Sequence, residues 1–268
     1  MNKICNYMGK RIYNVNQHFF SEINSEEKAY ILGLMYSDGC IFTSNGSYYI
    51  RFGQAEDRKD IVEKVNQVLE STYPIKSSMN GSKLFYEVQY TSKEMFDDLE
   101  KLGVTQRKSL TCTFPNYISN NLLCHFIRGL FDGDGCIWNG KRKIMKVKDI
   151  SKECGYRERI IHNVKFTYTG NFLFVSELQN ILCNILGFSK TKLNFSKAKE
   201  TQHICTMEYS GRKQLAKFYN YLYSNATIFS KQKKLKFEEI ICATLEKSNV
   251  ETALTEETAE MPIVNQAS

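Results

Sequence analysis

The chain has 268 residues, 42% of them hydrophobic and 24% charged, enough for one large or two modest domains with a proper core. Its polar start, MNKICNYMGKRIYNVNQ, lacks the apolar core of a signal peptide, and no segment is long enough for a membrane span. The nine cysteines form no C-x-x-C pair, and His18, His125, His162 and His203 do not cluster with them. Zinc and a disulfide framework are therefore disfavoured, and reduced, mostly packed thiols in an intracellular, reducing compartment are expected.

Residues 1–19 read as a short N-terminal arm, after which EEKAYILGLMYSDG gives an apolar helix ending in an acidic-glycine turn. In CIFTSNGSYYIRFGQ, Asn45-Gly46 between β-favouring runs signals a hairpin. Ile61, Val62, Val65, Val68 and Leu69 recur at helical spacing, and a second hairpin is expected around Asn80-Gly81. SKEMFDDLEKLG then predicts a short helix closed by Gly103. The first half, 20–115, thus reads αββαββα.

The second half, 116–242, repeats that order. NNLLCHFIRGLFDGDG is a helix with the same ending; CIWNGKRK and RIIHNVKFTYTGN are strands. NFLFVSELQNILCNILG is a helix ended by Gly187, followed by a strand pair in TKLNFSKAKETQHICTMEYS and a helix in GRKQLAKFYNYLYSNA. Asp38 and Asp134 lie 96 residues apart, whereas Phe52 and Phe166 in the following strands lie 114 apart. An internal duplication accounts for this, with an excursion of 18 residues centred on KRKIMKVKDISKECGYRER. The tail, 243–268, holds five glutamates and one lysine and is expected to be disordered. The overall charge of +7 therefore leaves the body through Cys242 at +11, which suits a polyanionic partner.

Two nonapeptides in register, ILGLMYSDG (Ile31 to Gly39) and IRGLFDGDG (Ile127 to Gly135), resemble the paired motifs of monomeric LAGLIDADG homing endonucleases. EEKAYILGLMYSDG, KSLTCTFPNYI and YLYSNATIFSKQKKLKFEEI extend the resemblance over about residues 20 to 242. It implies an α+β fold of two pseudo-twofold-related repeats, motif helices packed at the centre, and two saddle-shaped antiparallel sheets facing DNA. It further implies a monomer that makes site-specific double-strand breaks in a long asymmetric DNA site.

Gly33 and Gly129 sit inside apolar helices, where glycine costs about 1 kcal/mol relative to alanine. That loss is offset if the bare backbones let the two motif helices approach closely, as across an isologous interface. Such packing brings Asp38 and Asp134 together at two helix C-termini, an unfavourable arrangement that divalent cations relieve. Mg²⁺, or another divalent ion such as Mn²⁺, takes one or two carboxylates plus water and phosphate oxygens. In the family the second acidic position bears the metal, which implies Asp38 and Asp134. Asp132 fits the motif too, but its counterpart is Tyr36, so a structural capping role is expected for it.

By similarity, Lys108 in QRKSL and Lys231 in SKQKK approach the scissile phosphates, with Lys233 as a competitor because the register of SKQKK is ambiguous. Gln54 and Tyr168 occupy matched positions after their strands and are candidates for ordering water at the site. Strand alternation turns Tyr48, Ile50 and Phe52 to a core and Tyr49 and Arg51 away from it. In the same way Gln89, Lys165, Lys192 and Asn194 face away from apolar rows, and Lys76 joins them at the start of its strand. These side chains suit major-groove contacts, and Lys141, Arg142 and Lys143 of the excursion suit the DNA backbone. Two other readings share the scaffold: a splicing maturase that binds intron RNA, and a non-catalytic DNA-binding regulator. Retention of both Asp38 and Asp134 favours the nuclease.

Overall fold

The structure is a computed structural model that describes residues 12–148, 151, 156–196 and 203–242; side chains of 142–148 and 156–162 lie outside the described set. The acidic tail and the first eleven residues also lie outside it. The first repeat runs α1 (Glu26–Ser37), β1 (Cys40–Ser44), β2 (Ser47–Ala55), α2 (Lys59–Val68), β3 (Lys76–Asn80), β4 (Lys83–Thr91) and α3 (Lys93–Lys101). A short α4 (Lys108–Thr111) leads to the second repeat. There follow α5 (Asn120–Asp134), β5 (Cys136–Lys148), β6 (Tyr156–Asn171), α6 (Phe172–Leu186), β7 (Asn194–Phe195), β8 (Ile204–Ser210) and α7 (Arg212–Tyr223). Residues 231–242 are helical up to the last described position, an element the sequence reading did not assign.

Each repeat contributes one antiparallel sheet, in the orders β1-β2-β4-β3 and β5-β6-β8-β7. The β1–β2 turn is the expected one: Asn45 and Gly46 both have positive φ, 49° and 74°, which the tight hairpin turn requires. Among its described residues the excursion in the second repeat forms no separate element. It lengthens the β5–β6 ribbon, whose pairing continues from Cys136↔Thr167 out to Lys148↔Tyr156 with an irregularity between Ile144 and Val147. The strand pair expected after Gly187 is unequal, since β7 is only two residues long and pairs Asn194 with Thr206.

The two sheets and their covering helices share one continuous core. Ile50, Phe52, Val88 and Tyr90 fill the inner face of the first sheet; Val164, Phe166, Met207 and Tyr209 fill that of the second. α1 is buried on every side from Ala29 to Tyr36, which explains its lack of a polar stripe. The arm expected over 1–19 does not end at the packing boundary: Val15 and Phe19 are already buried in the core. Asn14 and Asn16 exchange backbone hydrogen bonds with Thr72 and Leu69, tying this stretch to the first repeat. The thiols are less packed than expected. Cys205 is buried, but Cys40, Cys136 and Cys242 are exposed, and the cysteines among the described residues are free.

Candidate active site and nucleic-acid interface

α1 and α5 cross at their glycines. A Cβ on Gly33 would run into the Phe126 carbonyl oxygen, and one on Gly129 into that of Tyr30, so each helix uses the other's missing side chain. One turn further on, a Cβ on Gly133 would meet Ser37 Oγ and, at 2.6 Å, Asp38 Oδ2. The Asp38 carboxylate therefore lies against the last turn of α5, beside Asp134. Asp38 is the C-cap of α1 and Asp134 the last residue of α5, so both carboxylates stand at negative helix ends.

The electrostatic consequence falls on Asp134. Its side chain is exposed to solvent, yet the protein packed around it removes enough water to push its pKa up to about 6, with the Asp38 charge as the next cause. Lys108, Lys233 and Arg58 act in the opposite direction. Asp38 is held by Gln54, whose Nε2 donates to Oδ2 at 2.7 Å. The matched Tyr168 makes no such bond. Its ring is buried, and burial together with the Asp134 charge raises its pKa well above the tyrosine range.

Each repeat brings one lysine to the glycine that follows its aspartate. Lys108 Nζ donates to the Gly39 carbonyl, and Lys233 Nζ to that of Gly135. Burial lowers the pKa of both, first in order among the causes; for Lys233 the neighbouring Arg58 adds to it. The register ambiguity in SKQKK is thereby resolved against Lys231. Ser230 accepts from the Lys233 and Lys234 amides and so begins the terminal helix. Two residues turn about 200° around a helix, which aims Lys231 away from Lys233. Lys231 is exposed and borders a separate groove with Asp60, Ile61 and Lys64.

Arg58 is a site residue that sequence reasoning missed. Its Nη1 donates to the carbonyls of Asp132 at 3.2 Å and Gly133 at 3.1 Å, so a side chain of the first repeat caps the motif helix of the second. Nothing local to Glu56-Asp57-Arg58 announces a contact that crosses repeats. Asp132 itself faces away from the acidic pair. Fully buried, it accepts from Tyr223 Oη at 2.6 Å, the Ser230 amide at 2.7 Å and Tyr30 Oη at 2.9 Å. The capping role expected of it agrees with that geometry.

The outer sheet faces carry most of the residues expected to meet nucleic acid. Arg51 lies over Phe42 and donates to Gln89 at 2.9 Å; Phe42 stacks on Tyr49. Lys76 is exposed opposite Glu87 in the β3–β4 register. On the second sheet Lys165 sits 5.6 Å over the Trp138 ring and pairs with Glu208 at 2.6 Å. Arg51 also lies 3.9 Å from Glu87, so a basic residue on an aromatic ring beside an acid recurs in both repeats. Lys192 and Asn194 lie at the far edge, lining a concavity with Lys213 and Lys217. Lys141 is exposed on the long ribbon, and the side chains of Arg142 and Lys143 lie outside the described residues.

No family model matches the sequence. Comparison with solved structures gives the LAGLIDADG endonuclease I-SmaMI bound to cleaved DNA, at 14% identity and a TM-score of 0.55, covering 88% of this chain and 95% of that one. I-LtrWI bound to target DNA matches at 11% and 0.53, covering 94% and 100%. I-AabMI bound to uncleaved DNA matches at 13% and 0.50, covering 81% and 91%. The chain has the two-repeat α+β fold of the LAGLIDADG homing endonucleases. Among curated proteins, a glutamine–fructose-6-phosphate aminotransferase of Methanocaldococcus jannaschii is 24% identical over 151 residues. That match takes in 51% of this chain but 13% of the aminotransferase.

Proposed function

We propose that this protein is a site-specific double-strand DNA endonuclease, acting as a monomer through divalent-metal-dependent phosphodiester hydrolysis. The observation that carries the reading is the pairing of Asp38 with Asp134 at abutting helix ends, flanked by Lys108 and Lys233. Similar folds solved on DNA add support, as does the +11 charge of the body.

The donor set fits a hard divalent cation. Two carboxylates crowd one site, burial and then the Asp38 charge raise the Asp134 pKa, and no group of three or more His, Cys, Asp or Glu stands together among the described residues. Water and phosphate oxygens would complete such a shell, which suits Mg²⁺ or Mn²⁺ rather than zinc. When bound, the metal supplies activated water and neutralises the leaving oxygen. Asp38 and Asp134 would hold it, and Gln54 fixes the rotamer of Asp38. Lys108 and Lys233 set positive charge beside the acidic pair, where negative charge grows on a phosphate. Both sheets then hold the duplex, with Arg51, Gln89 and Lys165 at base edges and the long β5–β6 ribbon along the backbone.

The test begins with a duplex recovered by binding selection from a randomised library. Incubation with Mg²⁺ should give double-strand breaks that EDTA abolishes. Binding without any strand cleavage, across Mg²⁺ and Mn²⁺, would instead support a non-catalytic DNA-binding regulator.

A further inference from the structure

The sixth residues of the two nonapeptides differ completely in chemistry, yet each reaches the segment that delivers its own repeat's lysine. In the second repeat Asp132 accepts from the amide of Ser230, and Ser230 caps the helix whose third residue is Lys233. Tyr30 and Tyr223 hold the same carboxylate from either side, so its position is over-determined. In the first repeat Tyr36 Oη donates to the Leu102 carbonyl at 2.5 Å, and Tyr117 Oη donates to that same oxygen at 2.7 Å. Leu102 ends α3, and the chain from there to Lys108 is short. Gly103 turns it with φ at 87°, and a Cβ there would land on the Tyr36 hydroxyl.

The difference between the motifs follows from what each must hold. The segment before Lys233 presents an unpaired helix-start N–H and needs an acceptor, which a carboxylate is. The segment before Lys108 presents a helix-end carbonyl and needs a donor, which a phenol is and a carboxylate is not. We infer that Tyr36 and Asp132 are positioning residues, each fixing one lysine, Lys108 or Lys233, on the glycine carbonyl that follows the motif aspartate of its own repeat, beside the acidic pair. The inference rests on the nuclease reading, because it assigns the two residues to the two strand cleavages.

The experiment measures single-turnover nicking of each strand separately, with end labels, on the selected duplex in Mg²⁺. Lys108→Ala and Lys233→Ala define which strand each lysine serves. Tyr36→Phe removes one oxygen, leaves Tyr117 on the Leu102 carbonyl, and should slow the Lys108 strand alone by about 10- to 100-fold, the scale of a misplaced group. Asp132→Ala should do the same to the Lys233 strand, while Asp132→Asn, which keeps an acceptor for Ser230, should recover most of the rate. DNA affinity should stay within about twofold throughout, and each anchor variant should add nothing to its own lysine variant. Equal slowing of both strands, or effects that multiply with the lysine's, would show a general structural role and overturn the inference. If Tyr36→Phe, the variant that spares the fold, cleaves both strands at the parent rate, it is overturned as well. Lysine variants that cleave normally would overturn it while leaving the nuclease reading intact; an unmodified protein that never nicks would overturn that reading first.

Discussion

Gly33 and Gly129 fill each other's missing side chains at the crossing of α1 and α5: a Cβ on either would lie 3.0 Å from the other's α-carbon and closer still to a backbone carbonyl. Backbone cannot swing aside as a flexible side chain can. Gly33→Ala or Gly129→Ala should therefore push the helices apart and cost about 1–3 kcal/mol or more, as overpacking does. Urea denaturation measures this. Cleavage should fall further than stability, since the same crossing sets the Asp38–Asp134 spacing.

The lysine register gives a second prediction. Lys233→Ala should slow cleavage by on the order of 100-fold, the scale of losing one charge-stabilising group. Lys231→Ala should stay within about twofold, because that side chain is exposed on another face of the helix. Parallel rate measurements on both variants decide it.

Asp134 sets a pH dependence. Its folded pKa, about 6, lies above the ordinary value of 3.8, so the native state without metal binds a proton that the unfolded chain has already released. Stability from this group is full below pH 3.8 and is lost as pH rises through 6. The carboxylate is partly open to solvent, so screening reduces the effect to about 1 kcal/mol. Thermal melts without metal should show Asp134→Asn more stable than the parent at pH 8 and equal to it near pH 4. Mg²⁺ should raise the parent melting temperature more at pH 8 than at pH 5.5, because the metal competes with that proton.

Cys40 and Cys136 immediately follow the two motif glycines and are exposed, each on the outer face of its sheet. A duplex seated on these faces should shield both from maleimide. Cys242, exposed on the terminal helix and off either sheet, serves as the reference. Peptide mass mapping with and without the selected DNA should show protection at Cys40 and Cys136 and none at Cys242.

How much of this could be read from the sequence depended on whether the information was local. The duplication, the hairpin at Asn45-Gly46 and the paired glycines and aspartates are patterns of spacing, and the structure carries all of them. The 18-residue excess was visible, but its form was not, because a basic stretch does not say whether it continues two strands or leaves the sheet. Lys231 and Lys233 could not be separated until the start of the last helix was fixed, and a contact with Asp132, 98 residues away, helps to fix it. Arg58 was silent for the same reason: its partners lie 74 and 75 residues distant, in the other repeat. The Tyr36 departure from the motif was visible, but not what the tyrosine does. The structure gives it a carbonyl to hold.

The two motif aspartates are tested most directly by Mg²⁺-dependent cleavage by Asp38→Asn and Asp134→Asn, measured alongside their DNA affinity. Each variant should bind the selected duplex at least as tightly as the parent, since a negative charge near the backbone is gone, and each should fail to make double-strand breaks. Parent-like, metal-dependent breakage by either variant would contradict the shared carboxylate site.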